Sequence, residues 1–242
     1  MEQVMEEVGL LINGIYLKVP QGYTLLQAAQ QLGVDIPTLC YHPELPSEGN
    51  CRLCVVEIGE YPRTRLVNSC TYPVEPGLNV QTHSEKVLQA RRIVLELLLA
   101  RAPKAKLIQD LAAEMGIHES RFKSEDPYEL CVLCGLCVRT CREIVGVSAI
   151  SMANRTPGKL VTTPFLEPSD ACIGCGSCAF VCPTEVIPYI EKDGKRIIWG
   201  REFELVRCNV CGNYIAPLAQ LEYWARLTGD PVEHFYVCRD CR

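Results

Sequence analysis

Residues 131–141 read Cys-Val-Leu-Cys-Gly-Leu-Cys-Val-Arg-Thr-Cys, and residues 172–183 read Cys-Ile-Gly-Cys-Gly-Ser-Cys-Ala-Phe-Val-Cys-Pro. Both runs space their sulfurs as Cys-x2-Cys-x2-Cys-x3-Cys: Cys131, Cys134, Cys137 and Cys141 in the first, Cys172, Cys175, Cys178 and Cys182 in the second. Three cysteines at i, i+3 and i+6 wrap a short loop around one cubane, so that three thiolates converge on three irons of a [4Fe–4S] centre. Gly135, Gly174 and Gly176 lie between ligands, where the backbone must bend tightly and bring its N–H groups close to sulfur. Structural zinc is the alternative, but zinc is held by separated Cys-x2-Cys pairs and has no use for the same tight triplet twice.

The doubled run resembles a bacterial two-cluster ferredoxin, in which the fourth cysteine of each run ligates the other cluster. That resemblance implies one [4Fe–4S] centre on Cys131, Cys134, Cys137 and Cys182, and a second on Cys141, Cys172, Cys175 and Cys178. Arg142 stands where a simple ferredoxin would have proline, so a helix can continue through it. Arg139 and Arg142 are read either as charge favouring the reduced clusters or as ordinary surface arginines. Between the runs, Pro157-Gly158 and the β-prone Leu160-Val-Thr-Thr predict a small hairpin.

Toward the amino terminus, residues 9–20 hold two apolar runs joined by Asn13-Gly14, the signal for a type I′ hairpin. A helix follows, capped by Thr24, with Leu25, Ala28, Ala29 and Leu32 at helical spacing and Gly33 as its end. Then Cys40, Cys51, Cys54 and Cys70 appear as Cys-x10-Cys-x2-Cys-x15-Cys. The first loop carries His42, Pro43, Pro46, Ser47, Gly49 and Asn50, turn-forming residues that can fold around a [2Fe–2S] centre and aim N–H groups at its sulfurs.

Three stretches carry a more specific resemblance. They are Ile-Pro-Thr-Leu-Cys-Tyr-His-Pro-Glu-Leu at 36–45, Gly-Asn-Cys-Arg-Leu-Cys-Val-Val-Glu-Ile at 49–58, and Asn-Ser-Cys-Thr-Tyr-Pro-Val at 68–74 with Gly-Leu-Asn-Val-Gln-Thr at 77–82. Together they are similar to the amino-terminal [2Fe–2S] domain shared by three groups: the large iron–sulfur subunit of respiratory complex I, the diaphorase iron–sulfur subunit of NAD-reducing hydrogenases, and the front of [FeFe] hydrogenases. The run from Cys131 to Val147 resembles the same family. The resemblance implies a β-grasp, plant-ferredoxin-like fold for residues 8–82. It also implies a further His-and-cysteine [4Fe–4S] site next in the chain, yet residues 71–130 contain no cysteine and only His83 is in place. That extra cluster is therefore expected to be absent, with His83 a solvated residue capping the next helix.

Residues 84–101 form a strong helical pattern, with Val87, Ala90, Val94, Leu97 and Leu98 on one face and Ala102-Pro103 as the stop. A second helix is expected over 104–115, with Leu107, Ile108 and Leu111 inward and Gly116 at its end. The pair reads as a helical hairpin packed between the cluster domains or against another subunit, core packing being the favoured option.

At the other end, residues 187–206 read as strands around Lys192-Asp-Gly-Lys and lead into Cys208-x2-Cys211. Cys238-x2-Cys241 follows after 26 residues that include a helix at 219–227. Two facing knuckles give a closed tetrahedral zinc site on Cys208, Cys211, Cys238 and Cys241, with a rubredoxin-type iron as the alternative. His234 is nearby but unnecessary once four thiolates fill the shell. So small a tail takes its folding energy from the metal and is read as a docking element.

All sixteen cysteines are thus placed in four quartets. The first residues, 1–8, are acidic and carry neither a signal core nor twin arginines, so a reducing cytoplasm is expected. No run of 18 apolar residues exists to span a membrane, and the net charge of −5 argues against nucleic acid as a partner. The expected architecture is α+β in four parts. Residues 1–83 are a plant-type [2Fe–2S] β-grasp domain, 84–126 a helical linker, 127–200 a two-[4Fe–4S] ferredoxin domain and 201–242 a zinc-ribbon-like tail.

No glycine-rich fingerprint for NAD or flavin follows a strand, and no cysteine is left for a hydrogen-activating metal. The expectation is an electron-transfer subunit with no catalytic residues of its own. Because hydride donors release electrons in pairs and clusters take them singly, a flavin must lie on another subunit. The resemblance implies an NAD(P)H-oxidising flavoprotein at one end. At the other it implies a hydrogenase, a formate dehydrogenase or a similar catalytic subunit, or soluble ferredoxin, in a hetero-oligomeric complex. The alternatives are a freestanding polyferredoxin whose zinc tail docks partners, and a structural protein stapled by clusters.

Overall fold

The asparagine–glycine pair at 13–14 sets the first sheet. Asn13 and Gly14 both take left-handed backbone angles (φ 52° and 81°), so β1 (Glu7–Ile12) turns directly into β2 (Ile15–Pro20) with Ile12 opposite Ile15. The computed structural model describes residues 6–155 and 158–242. Residues 1–5 of the acidic stretch 1–8 and the proline of the Pro157-Gly158 turn lie outside the described residues. The chain divides into two compact units, residues 1–134 and 135–242.

In the first unit, α1 (Leu25–Gln31) starts at a full capping box. The Thr24 hydroxyl accepts from the Gln27 N–H, and the Gln27 side chain accepts from the Thr24 N–H at 2.8 Å. β3 (Val55–Ile58), β4 (Arg65–Asn68) and β5 (Asn79–Gln81) complete a five-stranded sheet in the order β2-β1-β5-β3-β4. β1 and β5 run parallel while the other pairs are antiparallel, which suits the expected β-grasp reading of a hairpin, a crossing helix and a returning strand. Leu10, Ile12, Val19, Leu26, Ala29, Val56 and Val80 fill the core, and Cys54 and Cys70 sit inside that same core at 0% and 1% exposure.

α2 (Glu85–Arg101) packs on β3. Its cap is Ser84, whose hydroxyl accepts from the Val87 N–H; His83 is exposed one residue earlier, against the Thr82 hydroxyl, so the expectation that His83 caps the helix is corrected by one position. The buried face also differs from the expected one. Val87, Arg91, Leu95 and Leu99 are inward, while Leu97 is 49% exposed. α3 (Lys106–Glu114) packs against α2 through Ile108 and Ala112, and Gly116 follows it at φ 68°.

The second unit opens with α4 (Leu136–Arg139), which runs into a π-helical turn at Thr140–Ile144. The chain therefore stays helical through Arg142, as its lack of proline allows. β6 (Ser151–Ala153) and β7 (Leu160–Thr162) pair as the expected small hairpin. After α5 (Ser177–Phe180) come β8 (Tyr189–Lys192), β9 (Lys195–Ile198), β10 (Arg201–Arg207) and β11 (Tyr214–Pro217), which form one antiparallel sheet in the order β11-β10-β9-β8. Position 200, the expected domain boundary, falls in the turn between two paired strands of this sheet. α6 (Leu218–Thr228) follows β11. Among the described residues no helix is long and apolar enough to cross a membrane.

Candidate metal centres

The start of β3 and the end of β4 hold Cys54 and Cys70 side by side, with the two Sγ atoms 3.3 Å apart. Ser69 fixes the pair: its N–H and its hydroxyl both donate to the Cys54 carbonyl, at 3.1 and 2.7 Å. The loop between Cys40 and Cys51 folds back so that the Cys51 N–H donates to Cys40 Sγ at 3.4 Å. Gly49 and Arg52, both left-handed, make that fold possible (φ 65° and 60°). The four sulfurs compete for charge. Cys51 is pulled down to about 5 chiefly by the Cys40 thiol, and Cys54 to about 7 chiefly by the Cys70 thiol. Their partners Cys40 and Cys70 are pushed far up by the same contacts and by burial. Holding all four as thiolates calls for a cation among them, and this donor set fits a [2Fe–2S] core.

In the second unit Cys141, Cys172, Cys175 and Cys178 line one pocket, together with Ile150, Ile198 and Trp199. The sulfur from the end of the first run thus stands with the triplet of the second. Burial raises the Cys141 and Cys172 thiols and takes Cys178 to about 11. N–H donors already point at the sulfurs: Ala149 at Cys141 (3.2 Å) and the Trp199 indole at Cys178 (3.4 Å). This donor set and the thiol-lined space fit a [4Fe–4S] cubane.

Of the other quartet, Cys131 and Cys134 close the first unit, while Cys137 and Cys182 belong to the second. Glu129 holds the first of them, accepting from the N–H groups of Leu130 and Cys131 at 2.9 and 2.8 Å. Arg101 at the end of α2 pairs with Glu129 at 3.1 Å and donates to the Cys131 carbonyl. Cys137 and Cys182 pack in the same core as Cys141, Cys172 and Cys178. Leu133 takes φ 54° where the second loop has Gly174 at 69°, so the two loops share a backbone shape although only one carries glycine there.

The tail sulfurs of Cys208, Cys211, Cys238 and Cys241 all lie within 4.8 Å of one another. The Cys211–Cys238 separation of 3.7 Å is close to the edge of about 3.8 Å of a tetrahedron with metal–sulfur bonds of about 2.3 Å. Cys208 is drawn down to about 6 by the N–H groups of Cys211 and Cys238, while Cys241 is pushed up to about 12 chiefly by the Cys238 thiol. The geometry fits one tetrahedral ion. None of the sixteen cysteines is in a disulfide.

Several contributors were not visible in the sequence. Arg91, 3% exposed on α2, donates to the Val55 carbonyl at 2.8 Å, next to Cys54. Arg139 is buried rather than on the surface, and Arg142 is exposed but paired with Glu143 at 2.6 Å. Arg196 reaches the carbonyl of Gly174 inside the second loop at 2.7 Å. The one hint for Arg91 was its place i+4 from Val87 and i−4 from Leu95 in an otherwise apolar row.

Comparison with known proteins agrees with this geometry. Residues 5–85 match a 2Fe-2S iron-sulfur cluster binding domain, and residues 130–186 match a 4Fe-4S dicluster domain. The NADP-reducing hydrogenase subunit HndD of Solidesulfovibrio fructosivorans is 36% identical over 210 residues, covering 74% of this chain and 36% of that protein. The NADPH-Fe(3+) oxidoreductase subunit alpha of Geobacter sulfurreducens is 31% identical, covering 90% of this chain and 28% of its own length. The mitochondrial NADH dehydrogenase [ubiquinone] iron-sulfur protein 1 of Solanum tuberosum is 32% identical over 75% of this chain and 27% of its own. The chain thus spans between a quarter and two-fifths of these relatives. Among solved structures, a chain of the NAD+-reducing [NiFe]-hydrogenase in its H2-reduced state superposes with a TM-score of 0.57 at 32% identity, covering 65% of this chain and 75% of the other. Kinship over three-quarters of that hydrogenase chain, with both cluster domains matched, means that this protein belongs to the iron–sulfur subunit family of NAD(P)-reducing hydrogenases and complex I.

Proposed function

We propose that the protein is an electron-transfer subunit of an NAD(P)-linked oxidoreductase complex in the cytoplasm. It would relay single electrons between a flavin-bearing, NAD(P)H-oxidising subunit and a catalytic subunit such as a hydrogenase or formate dehydrogenase, or soluble ferredoxin. One [2Fe–2S] centre on Cys40, Cys51, Cys54 and Cys70 and two [4Fe–4S] centres, on Cys131, Cys134, Cys137 and Cys182 and on Cys141, Cys172, Cys175 and Cys178, would carry the charge. Zinc on Cys208, Cys211, Cys238 and Cys241 would fasten a ribbon-like tail, and α2 with α3 would act as the helical hairpin that joins the cluster domains. Such clusters, when bound, accept and release one electron at a time with little rearrangement.

The observation that carries this reading is that each unit by itself brings together cysteines of two neighbouring quartets. Cys51 and Cys134 line one cavity, together with Val94, Leu98 and Leu133 of the first unit. Cys137 and Cys182 share a core with Cys141, Cys172 and Cys178 in the second. The chain's residues do the rest: they bury the thiols, donate N–H groups to sulfur and keep water out with apolar walls. Purification from cells under anaerobic conditions tests the proposal. A stoichiometric complex with a flavoprotein, whose NAD(P)H reduces every centre, supports it. A lone chain that NAD(P)H and flavoprotein leave oxidised, while free ferredoxin partners exchange electrons with it, rejects it in favour of a freestanding carrier.

A further inference from the structure

Among the described residues, three hairpin turns consist of two residues that both adopt left-handed angles: Asn13-Gly14, Asp193-Gly194 and Trp199-Gly200. The first two carry the residues that such turns favour. The third places a tryptophan at φ 52°, where a bulky side chain is strained. That strain has a visible return. The indole Nε1 donates to Cys178 Sγ at 3.4 Å, and the ring forms part of the wall around Cys141, Cys172, Cys175 and Cys178. An indole N–H donates and cannot accept, so it can only stabilise charge on sulfur.

The surrounding sheet holds this turn against the cysteine loop. Arg201, the residue after the turn, donates to the carbonyls of Ser169, Asp170 and Cys172 at 2.8, 2.8 and 2.9 Å. Arg196 on β9 donates to the Gly174 carbonyl and is itself tied to Glu191 at 2.8 Å and Gln220 of α6 at 3.4 Å. The Phe203 ring packs so close to Gly174 that a Cβ there would lie 2.7 Å from it. From α6, Tyr223 donates to the carbonyl of Val145, another residue of the same wall.

We propose that Trp199 is a redox-tuning residue of the Cys141, Cys172, Cys175 and Cys178 site, placed there by the sheet that the tail's four-thiolate site terminates. The inference rests on the reading of that site as a [4Fe–4S] centre. A hydrogen bond to a ligand sulfur favours the more negative, reduced state, so the indole raises the centre's potential.

Redox titration by EPR of Trp199→Phe, alongside iron analysis of the whole chain, tests this. Phenylalanine keeps an aromatic ring and the turn strain while it removes the N–H together with the five-membered ring that carries it. One [4Fe–4S] couple should move to lower potential, equivalent to roughly three- to tenfold in its reduction equilibrium, with the [2Fe–2S] couple unmoved. A second variant, Trp199→Asn, gives the turn its favoured residue; it should raise the melting temperature while lowering the same couple. Full iron with unshifted couples in Trp199→Phe overturns the role of Trp199. A wild-type chain short by about four irons overturns the cluster reading beneath it.

Discussion

Arg91 illustrates how one residue can serve packing and redox chemistry together. Its guanidinium lies under β3, bonded to the Val55 carbonyl, and burial pulls its pKa down while the nearby Cys54 and Asp35 charges oppose that shift. A buried cation beside a ligand thiolate favours the reduced centre. Arg91→Met should therefore lower the [2Fe–2S] potential while leaving the [4Fe–4S] couples in place, as EPR titration would read. Gly174 is a second such position. Leu133 shows that the left-handed angle alone is tolerated in this loop shape, so what decides Gly174→Ala is the Phe203 ring at 2.7 Å. That clash, added to a backbone cost of about 1–3 kcal/mol, should cost the chain one centre, measured as a loss of about four irons. Cysteine spacing made the quartets legible because thiolate geometry is local. Arg91, Trp199 and Arg196 were not legible, since their partners lie 36, 21 and 22 residues away in sequence.

Among the elements, the hairpin of β1 and β2, the capped α1 and the turn between β8 and β9 follow directly from Asn13-Gly14, Thr24 and Asp193-Gly194. The face of α2 did not, because a buried arginine looks polar to any hydrophobic pattern. α2 is fastened at its start through Glu57 of β3, whose carboxylate meets Ser84, Thr64 and Lys86, the last at 3.0 Å. Those contacts, the Ser84 hydroxyl first, hold the Glu57 carboxyl at about 2, below its ordinary 4.5. A lowered carboxyl pKa stabilises the fold fully above about 4.5, and the contribution disappears as pH falls toward about 2. Glu57→Gln should be less stable at neutral pH and lose less stability across that window, checked by denaturant unfolding at several pH values. In the tail, Cys208 and Cys211 lie in the turn between β10 and β11, and α6 packs on those two strands. With zinc proposed at Cys208, Cys211, Cys238 and Cys241, a chelator should speed amide exchange over 201–228 well before it does so in β1 and β3.

For the whole molecule, the two cluster domains and the family were legible because the cysteines recur at the spacings that cluster loops need, twice as Cys-x2-Cys-x2-Cys-x3-Cys. The division into units was less so. The sequence placed a boundary at 200, but hydrogen bonds between β9 and β10 carry the sheet across it, and sequence spacing holds no signal for that pairing. The account depends on three quartets passing electrons and one only holding structure. Metal analysis combined with EPR of the dithionite-reduced, anaerobically purified chain measures this most directly. Two irons for the [2Fe–2S] site and four for each cubane give about ten irons with about one zinc per chain, and three distinct reducible centres. Zinc alone, disulfide-linked cysteines, or an iron count that leaves any of the three quartets empty would contradict it.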